Sequence, residues 1–306
     1  MSSSPRQFPG GNVAYMYGSL FLKYIADRYG DDVIAHMSHR YGGHPIPWDF
    51  GRAFRDKTRK TVDELYDEWV VYLEHKYAVQ IDAIQRRGLR EGTRITRSGQ
   101  ANVFPGYSAD GSEIFWIRSD GYSRPRFRRM PANADESASR DLAIIDGAGP
   151  ASPLPDGTGM VANRGYAYRT TYSFSDLIRY DFATQRVVRL THGRRAREPD
   201  VSPDGRRLAF CLTAQAKTTL ALMPLAENAP HQVIWSGEGP YDQAATPAWS
   251  PDGKEIVFSA WTAGGYRDLF LYRVAEKSTE RLMRDRALDI LPRWSPDGRW
   301  IYFASD

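Results

Sequence analysis

Apolar residues recur at helical spacing between residues 13 and 88, and from about Thr93 they alternate with polar ones. Val13 to Tyr29 carries Leu20, Phe21, Tyr24 and Ile25 on one stripe and ends at Gly30, which predicts a first helix. Asp31-Asp32 stands where a second helix would begin, because acidic side chains complement the positive end of a helix dipole. Val33, Ile34 and Met37 form that helix's apolar stripe. Gly42-Gly43-His44-Pro45-Ile46-Pro47 reads as a loop and Trp48 to Phe54 as a short helix. Thr61-x-x-Glu64 is a capping-box pattern. It opens a long helix through Leu65, Trp69, Val70, Leu73, Tyr77, Ile81 and Ile84, which Gly88 closes just after Arg86-Arg87.

The second half is built of short runs of period two, punctuated by Gly, Pro, Asp and Asn. Glu113 to Ile117, Leu208 to Leu212, Ile256 to Ser259 and Trp300 to Phe303 all read as strands. Cys211, the one cysteine, lies inside such a run. It excludes an internal disulfide framework and is expected to be a small core residue.

These strands belong to a repeat. Ser202-Pro203-Asp204-Gly205, Ser250-Pro251-Asp252-Gly253 and Ser295-Pro296-Asp297-Gly298 are identical tetrads. Ser108-Ala109-Asp110-Gly111 and Leu154-Pro155-Asp156-Gly157 are weaker copies. Successive copies are about 45 to 48 residues apart, the length of one four-stranded propeller blade. Proline presets φ at the second turn position, aspartate bonds nearby backbone, and glycine takes the left-handed position that returns the strand. Each tetrad is therefore expected to be a hairpin between the first two strands of a unit. Asp176 to Tyr180 and Asp268 to Tyr272 supply third strands; Arg186 to Thr191 and Thr279 to Leu282 supply fourth strands.

The tetrads and the period resemble the TolB-like propeller repeat, also related to the propellers of prolyl oligopeptidases and tricorn proteases. The resemblance covers about Gly92 to Asp306 and implies a radial array of four-stranded blades, usually six or more. The expected fold is thus α+β and multidomain, with a helical segment over residues 1–90 and a propeller of about four and a half blades over 91–306. An array that stops short leaves an exposed sheet edge. The chain is therefore expected to be a piece of a larger, exported protein, or to be completed by a partner.

In the helical half, Tyr15-Met16-Tyr17-Gly18, Tyr29-Gly30-Asp31-Asp32, Phe50-x-x-Ala53-Phe54 and Thr61 to Leu65 followed by Trp69 occur in order. Over roughly residues 12 to 78 this is similar to the helical subdomain that follows the active site in gluzincin (peptidase MA-like) zinc metallopeptidases. Those enzymes bind zinc through H-E-x-x-H and a later Glu. No H-E-x-x-H occurs in this sequence, so no cofactor is expected here and zinc belongs only to a longer product. The resemblance carries over one residue: Tyr15, followed by Gly18, matches the Tyr-x-x-Gly pattern whose phenol stabilises an oxyanion. Without zinc, Tyr15 is expected to be a packed aromatic. His36, His39 and His44 form a second cluster with no carboxylate in the sequence pattern to orient them, and are expected to be surface histidines.

Composition adds limits. The net charge of +4 rests on scattered arginine clusters, with no nucleic-acid motif beside them. They read first as solvated loop charge. Met1 to Arg6 has no apolar signal region, and no stretch nears the ~20 apolar residues of a membrane span. The sequence contains no G-x-S-x-G elbow, P-loop or dinucleotide fingerprint. The leading expectation is a non-catalytic module that binds a protein or peptide at a propeller face. Arg124, Arg126 and Arg128 in one loop region, and Arg194 and Arg195 in another, are its candidate contacts. The alternative is the later portion of a zinc metallopeptidase; nucleic-acid binding ranks third. By resemblance the protein would be periplasmic or extracellular.

Overall fold

A computed structural model describes residues 13–43, 50–88, 92–147 and 149–305. The chain divides into two compact units, Met1–Arg94 and Ile95–Asp306.

The first unit has four helices: α1 (Val13–Tyr29), α2 (Asp32–Gly42), α3 (Phe50–Thr58) and α4 (Val62–Arg87). One core holds them, made of Tyr24, Ile25, Val33, Met37, Ala53, Phe54, Leu65 and Trp69. The capping box forms as expected. Thr61 Oγ1 accepts from the Glu64 N–H at 3.2 Å, and Glu64 Oε2 accepts from the Thr61 N–H at 2.7 Å. Two N-terminal donors are thereby satisfied before the helix starts. The long helix departs from expectation in its second half. Its 26 residues span about 39 Å, against about 26 Å for the 17 residues of α1. The core engages it only from Val62 to Leu73, so Tyr77, Ile81 and Ile84 are exposed. The short helix expected from Trp48 is α3, and Trp48 itself lies outside the described residues.

The second unit repeats one motif. Blade 1 is β1 (Ala101–Tyr107), β2 (Glu113–Ser119), β3 (Arg126–Pro131) and β4 (Arg140–Ile144). Blade 2 is β5 (Ser152–Pro153), β6 (Gly159–Tyr168), β7 (Tyr172–Asp181) and β8 (Val187–Arg189). Blade 3 is β9 (Ala196–Val201), β10 (Arg207–Ala214), β11 (Lys217–Pro224) and β12 (Gln232–Trp235). Blade 4 is β13 (Gln243–Trp249), β14 (Glu255–Trp261), β15 (Arg267–Arg273) and β16 (Ser278–Arg281). Two strands of a fifth follow, β17 (Ile290–Trp294) and β18 (Ile301–Ala304). Within each blade, successive strands pair antiparallel. One parallel bridge, Thr218 to Gln243, joins blade 3 to blade 4.

The core lies between blades. In β10, Leu208, Phe210 and Leu212 face blade 2, while Ala209 and Cys211 face blade 4. Both faces of such a strand are buried, which is why it reads as a continuous apolar run. Each fully buried Phe or Leu contributes roughly 1.5–3 kcal/mol. The innermost strands share a second feature. Phe104, Glu198, Thr246 and Leu291 all have φ between 49° and 57°, and each lies four residues before a turn serine. The pairing register slips beside all four, at Val103/Gly106, Arg197/Asp200, Ala245/Ala248 and Ile290/Arg293. These are β-bulges repeated at the blade period.

The tetrads are hairpin turns, and their glycines at 111, 157, 205, 253 and 298 have φ of 68° to 71°. In blade 4, the Ser250 hydroxyl donates to Asp252 at 2.7 Å and accepts from the Glu255 N–H at 2.9 Å. Asp252 also accepts from the Lys254 N–H at 3.1 Å. Three of the turn glycines also meet the turn proline of the preceding blade. A Cβ on Gly205, Gly253 or Gly298 would lie 3.7 to 3.8 Å from Pro155, Pro203 or Pro251. Blade 1 has Ala109 in place of that proline, and Gly157 after it has nothing within 4 Å.

The expected open edge is present in the sheets, since among the described residues β18 pairs with β17 and with no further strand. The turns nevertheless meet: a Cβ on Gly111 would lie 3.0 Å from Pro296. Away from the turns, Trp300, Tyr302 and Phe303 of blade 5 and Val103 and Tyr107 of blade 1 are exposed.

Candidate binding face

Strand direction fixes which loops share an end of the second unit. The first strand of each blade runs toward its tetrad, so all five tetrads lie at one end. The links between second and third strands, and those between blades, lie at the other. Residues 120–125, 169–171, 193–195 and 282–289 therefore share that second end.

The hairpin of β6 and β7 projects furthest in sequence terms, with ten residues in each arm against seven in β14 and β15. At its tip Tyr168 pairs with Tyr172, and Tyr166 with Phe174. The Tyr172 and Phe174 rings are parallel, with centroids 6.2 Å apart; Tyr168 lies 5.4 Å from Phe174. Arg169 and Thr170 turn the tip with φ of 48° and 59°. Non-glycine residues rarely take this conformation. It brings the Arg169 guanidinium 5.3 Å from the Tyr168 ring. Arg195, also left-handed at φ 55°, lies 4.1 Å over Phe174. Tyr168 and Tyr172 are 46% and 59% exposed, so aromatic faces and guanidinium groups are presented together.

A buried carboxylate supports this patch. Asp176 is fully buried. Its Oδ1 accepts from Thr191 Oγ1 at 2.7 Å and the Arg194 N–H at 3.1 Å. Its Oδ2 accepts from Arg189 at 2.5 Å and the Gly193 N–H at 2.8 Å. Burial pushes the Asp176 carboxyl up, but these donors outweigh it and hold the group below the usual carboxylate range. The loop that carries Arg195 is thus tied to the core of blade 2.

The structure separates the other candidate arginines. Arg194 donates to the Ala229 carbonyl at 2.7 Å and braces a loop of blade 3. Arg124 pairs with Asp146, which also binds Arg164 at 2.6 Å. Two cations on one carboxylate leave positive charge on this face. Arg126 is half-buried in β3, opposite Ile144. Arg128 lies 2.7 Å from Asp141 and 5.5 Å from the Trp116 ring, within blade 1. Arg195 alone of the five combines exposure with an aromatic partner on this face. Tyr168, Tyr172 and Phe174 were not among the sequence candidates. Their signal was an aromatic at every second position on both arms of a hairpin.

The remaining candidates fall elsewhere. Tyr15, expected to be packed, is 79% exposed, because α1 turns its core stripe of Phe21, Tyr24 and Ile25 away from it. His36 lies 3.9 Å from Asp56, a carboxylate that sequence spacing did not reveal. His39 is exposed, and His44 lies outside the described residues. No histidine belongs to a metal-compatible group among the described residues. Cys211 is buried between blades 3 and 4, and burial pushes its thiol well up, as suits a packing residue. No helix among the described residues is long and apolar enough to cross a membrane.

Comparison with known proteins agrees with this architecture. The family model of the TolB beta propeller domain (PD40) matches residues 161–306. No curated protein matches the chain. Among solved structures, the chain is similar to TolB from Acinetobacter baumannii, at 18% identity and a TM-score of 0.54, covering 67% of this chain and 49% of that one. It is also similar to the putative TolB from Agrobacterium tumefaciens, at 19% identity and a TM-score of 0.53, covering 69% of this chain and 77% of that one. The chain thus spans about half the length of the Acinetobacter protein. Identities this low speak to fold, and the fold they share with the bulged, tetrad-linked blades described above is that of a TolB-like β-propeller.

Proposed function

We propose that the chain is a non-catalytic binding module that takes an extended, carboxylate-rich protein or peptide segment on the face opposite the tetrads. The observation that carries this reading is the tip of the β6–β7 hairpin, where exposed Tyr168 and Tyr172 stand beside Arg169 and Arg195. Aromatic faces supply contact area at low entropic cost, and guanidinium groups supply paired donors for carboxylates. Asp176 holds the loop in place, so little ordering is needed on binding.

Fluorescence anisotropy with labelled peptides tests this. Peptides rich in Asp and Glu should bind, and binding should weaken as salt rises. The double variant Arg195→Ala/Tyr172→Ala should lower affinity by about tenfold or more, with the melting temperature unchanged. Equal binding of Lys-rich peptides, or none at low salt, would contradict the proposal. A preference for single-stranded DNA over acidic peptides would assign the same face to nucleic acid.

One observation favours a second reading, in which the helical unit belongs to a gluzincin-type zinc peptidase in a longer polypeptide. Tyr15 is exposed, and a Cβ on Gly18, one turn later, would meet nothing within 4 Å. A phenol so placed is free to donate to a developing oxyanion. A longer product bearing H-E-x-x-H should then show zinc-dependent peptidase activity that falls in Tyr15→Phe with zinc content intact. Full activity in Tyr15→Phe would remove Tyr15 from the mechanism, and a longer product that binds no zinc would sink the reading.

A further inference from the structure

Blades 2 and 4 begin their third strands alike, with Asp176-Leu177 and Asp268-Leu269. Both aspartates are fully buried. Both bind, through Oδ2, an arginine thirteen residues later, Arg189 and Arg281. Beyond that point the blades diverge. Asp176 receives three more donors, from the Thr191 hydroxyl and from the N–H groups of Gly193 and Arg194. At the matching positions blade 4 has Met283, which has no hydroxyl, and Asp285 in place of Gly193. Asp268 Oδ1 is buried with no hydrogen-bond partner.

Carboxylates gather where donors stood in blade 2. Asp268, Asp285 and Asp289 each place one carboxylate oxygen within 4.8 Å of the others. Asp289 is fully buried and lies six residues before its turn serine, where blades 3 and 4 have the buried alanines Ala196 and Ala244. The backbone fixes the group: the Asp289 N–H donates to the Arg267 carbonyl at 2.8 Å, and the Ala287 N–H donates to Asp285 Oδ1 at 3.1 Å. Arg267 itself points its Nε to Ser259 Oγ, and Arg284 and Arg286 are exposed. Arg281 pairs with Asp268 through Oδ2, which leaves its Oδ1 without a hydrogen-bond donor. A buried carboxylate oxygen without a donor is costly unless a cation meets it.

We propose that Asp268, Asp285 and Asp289 form a calcium site at the junction of blades 4 and 5. The donor set is all oxygen, as hard divalent cations require. Oxygens bound to one calcium at roughly 2.4 Å lie up to about 4.8 Å apart, and the observed grouping fits within that. Magnesium demands shorter bonds and near-ideal octahedral geometry, which one loop and two strand ends supply less readily. Calcium would take the place in blade 4 that the Thr191, Gly193 and Arg194 donors hold in blade 2, and would tie the start of β17 to blade 4.

Calorimetric titration of the chelator-treated chain with calcium chloride tests this, with thermal melts in parallel. The expected result is saturable binding of one calcium, a rise in melting temperature with calcium, and affinity at least about tenfold weaker for magnesium. Asp285→Asn, at an exposed loop position, should melt like the parent in chelator and bind calcium about tenfold or more weaker. Asp289→Ala, which restores the residue of the sister blades, should abolish the calcium response. The absence of heat and of any melting shift at millimolar calcium overturns the proposal, as does undiminished binding by Asp285→Asn. Should Asp289→Ala not fold, the parent chain and Asp285→Asn still decide the matter.

Discussion

The helical unit and the strand-rich unit solve burial in different ways. Four helices share one core around Trp69 and Phe54, and nothing in that unit repeats. The blades have no common core; each interface is a separate cluster to which two neighbours contribute alternate residues of their strands. A single cavity should therefore disturb all four helices together, whereas damage to one blade interface should fade with distance along the chain.

The largest expected effects test that difference. Trp69→Ala should cost about 3–5 kcal/mol and raise amide exchange across α1 to α4 together. Phe258→Ala, in the interface of blades 3 and 4, should cost a similar amount, but exchange should rise most in those blades and least in blade 1. Uniform loss of protection across the blades would break the comparison. Next is Asp176→Ala, which removes four charge-assisted hydrogen bonds at one buried site and should cost about 2–3 kcal/mol, with exchange rising at residues 191–195. Gly253→Ala keeps an ordinary 3.7 Å contact with Pro203 but forces alanine to φ near 70°, costing about 1–2 kcal/mol. Gly111→Ala should cost more, because Pro296 is only 3.0 Å away. Thr61→Ala should cost about 1 kcal/mol, from the helical unit only.

The smallest effect is in acid. Serine hydroxyls, and then backbone N–H groups, hold Asp110, Asp204, Asp252 and Asp297 below the usual carboxylate range, Asp110 down to about 2. A depressed folded-state value means the stabilisation is complete above the unfolded value near ~3.9 and is lost as pH falls toward 2. Asp200 has the opposite sign: burial raises it despite Arg293 and its bond from the Trp249 N–H. Its contribution is therefore present at low pH and falls as pH rises through its raised value. Melts between pH 5 and 2 should show the tetrad loss, and Asp252→Asn should lessen it.

Local chemistry made the elements legible. The Thr61 box, the Gly88 stop and the five turns needed only neighbours in sequence, so the pattern of residues revealed them. What escaped depends on residues a blade apart. The proline of one tetrad carries the glycine of the next, and the bulge before each turn serine falls on residues as different as Phe104, Glu198 and Leu291. No residue type marks that position. The arginines illustrate the same limit. Arg194 and Arg195 are alike in sequence, but the bonds around Asp176 and Ala229 turn one inward and leave the other on Phe174.

Hydrogen–deuterium exchange of the chain with and without an acidic peptide tests the central claim most directly, because it reports which end of the blades is covered. The account predicts added protection at residues 166–174 and 193–197, with the tetrads unchanged. Protection confined to the tetrads at 202–205, 250–253 and 295–298 would contradict it.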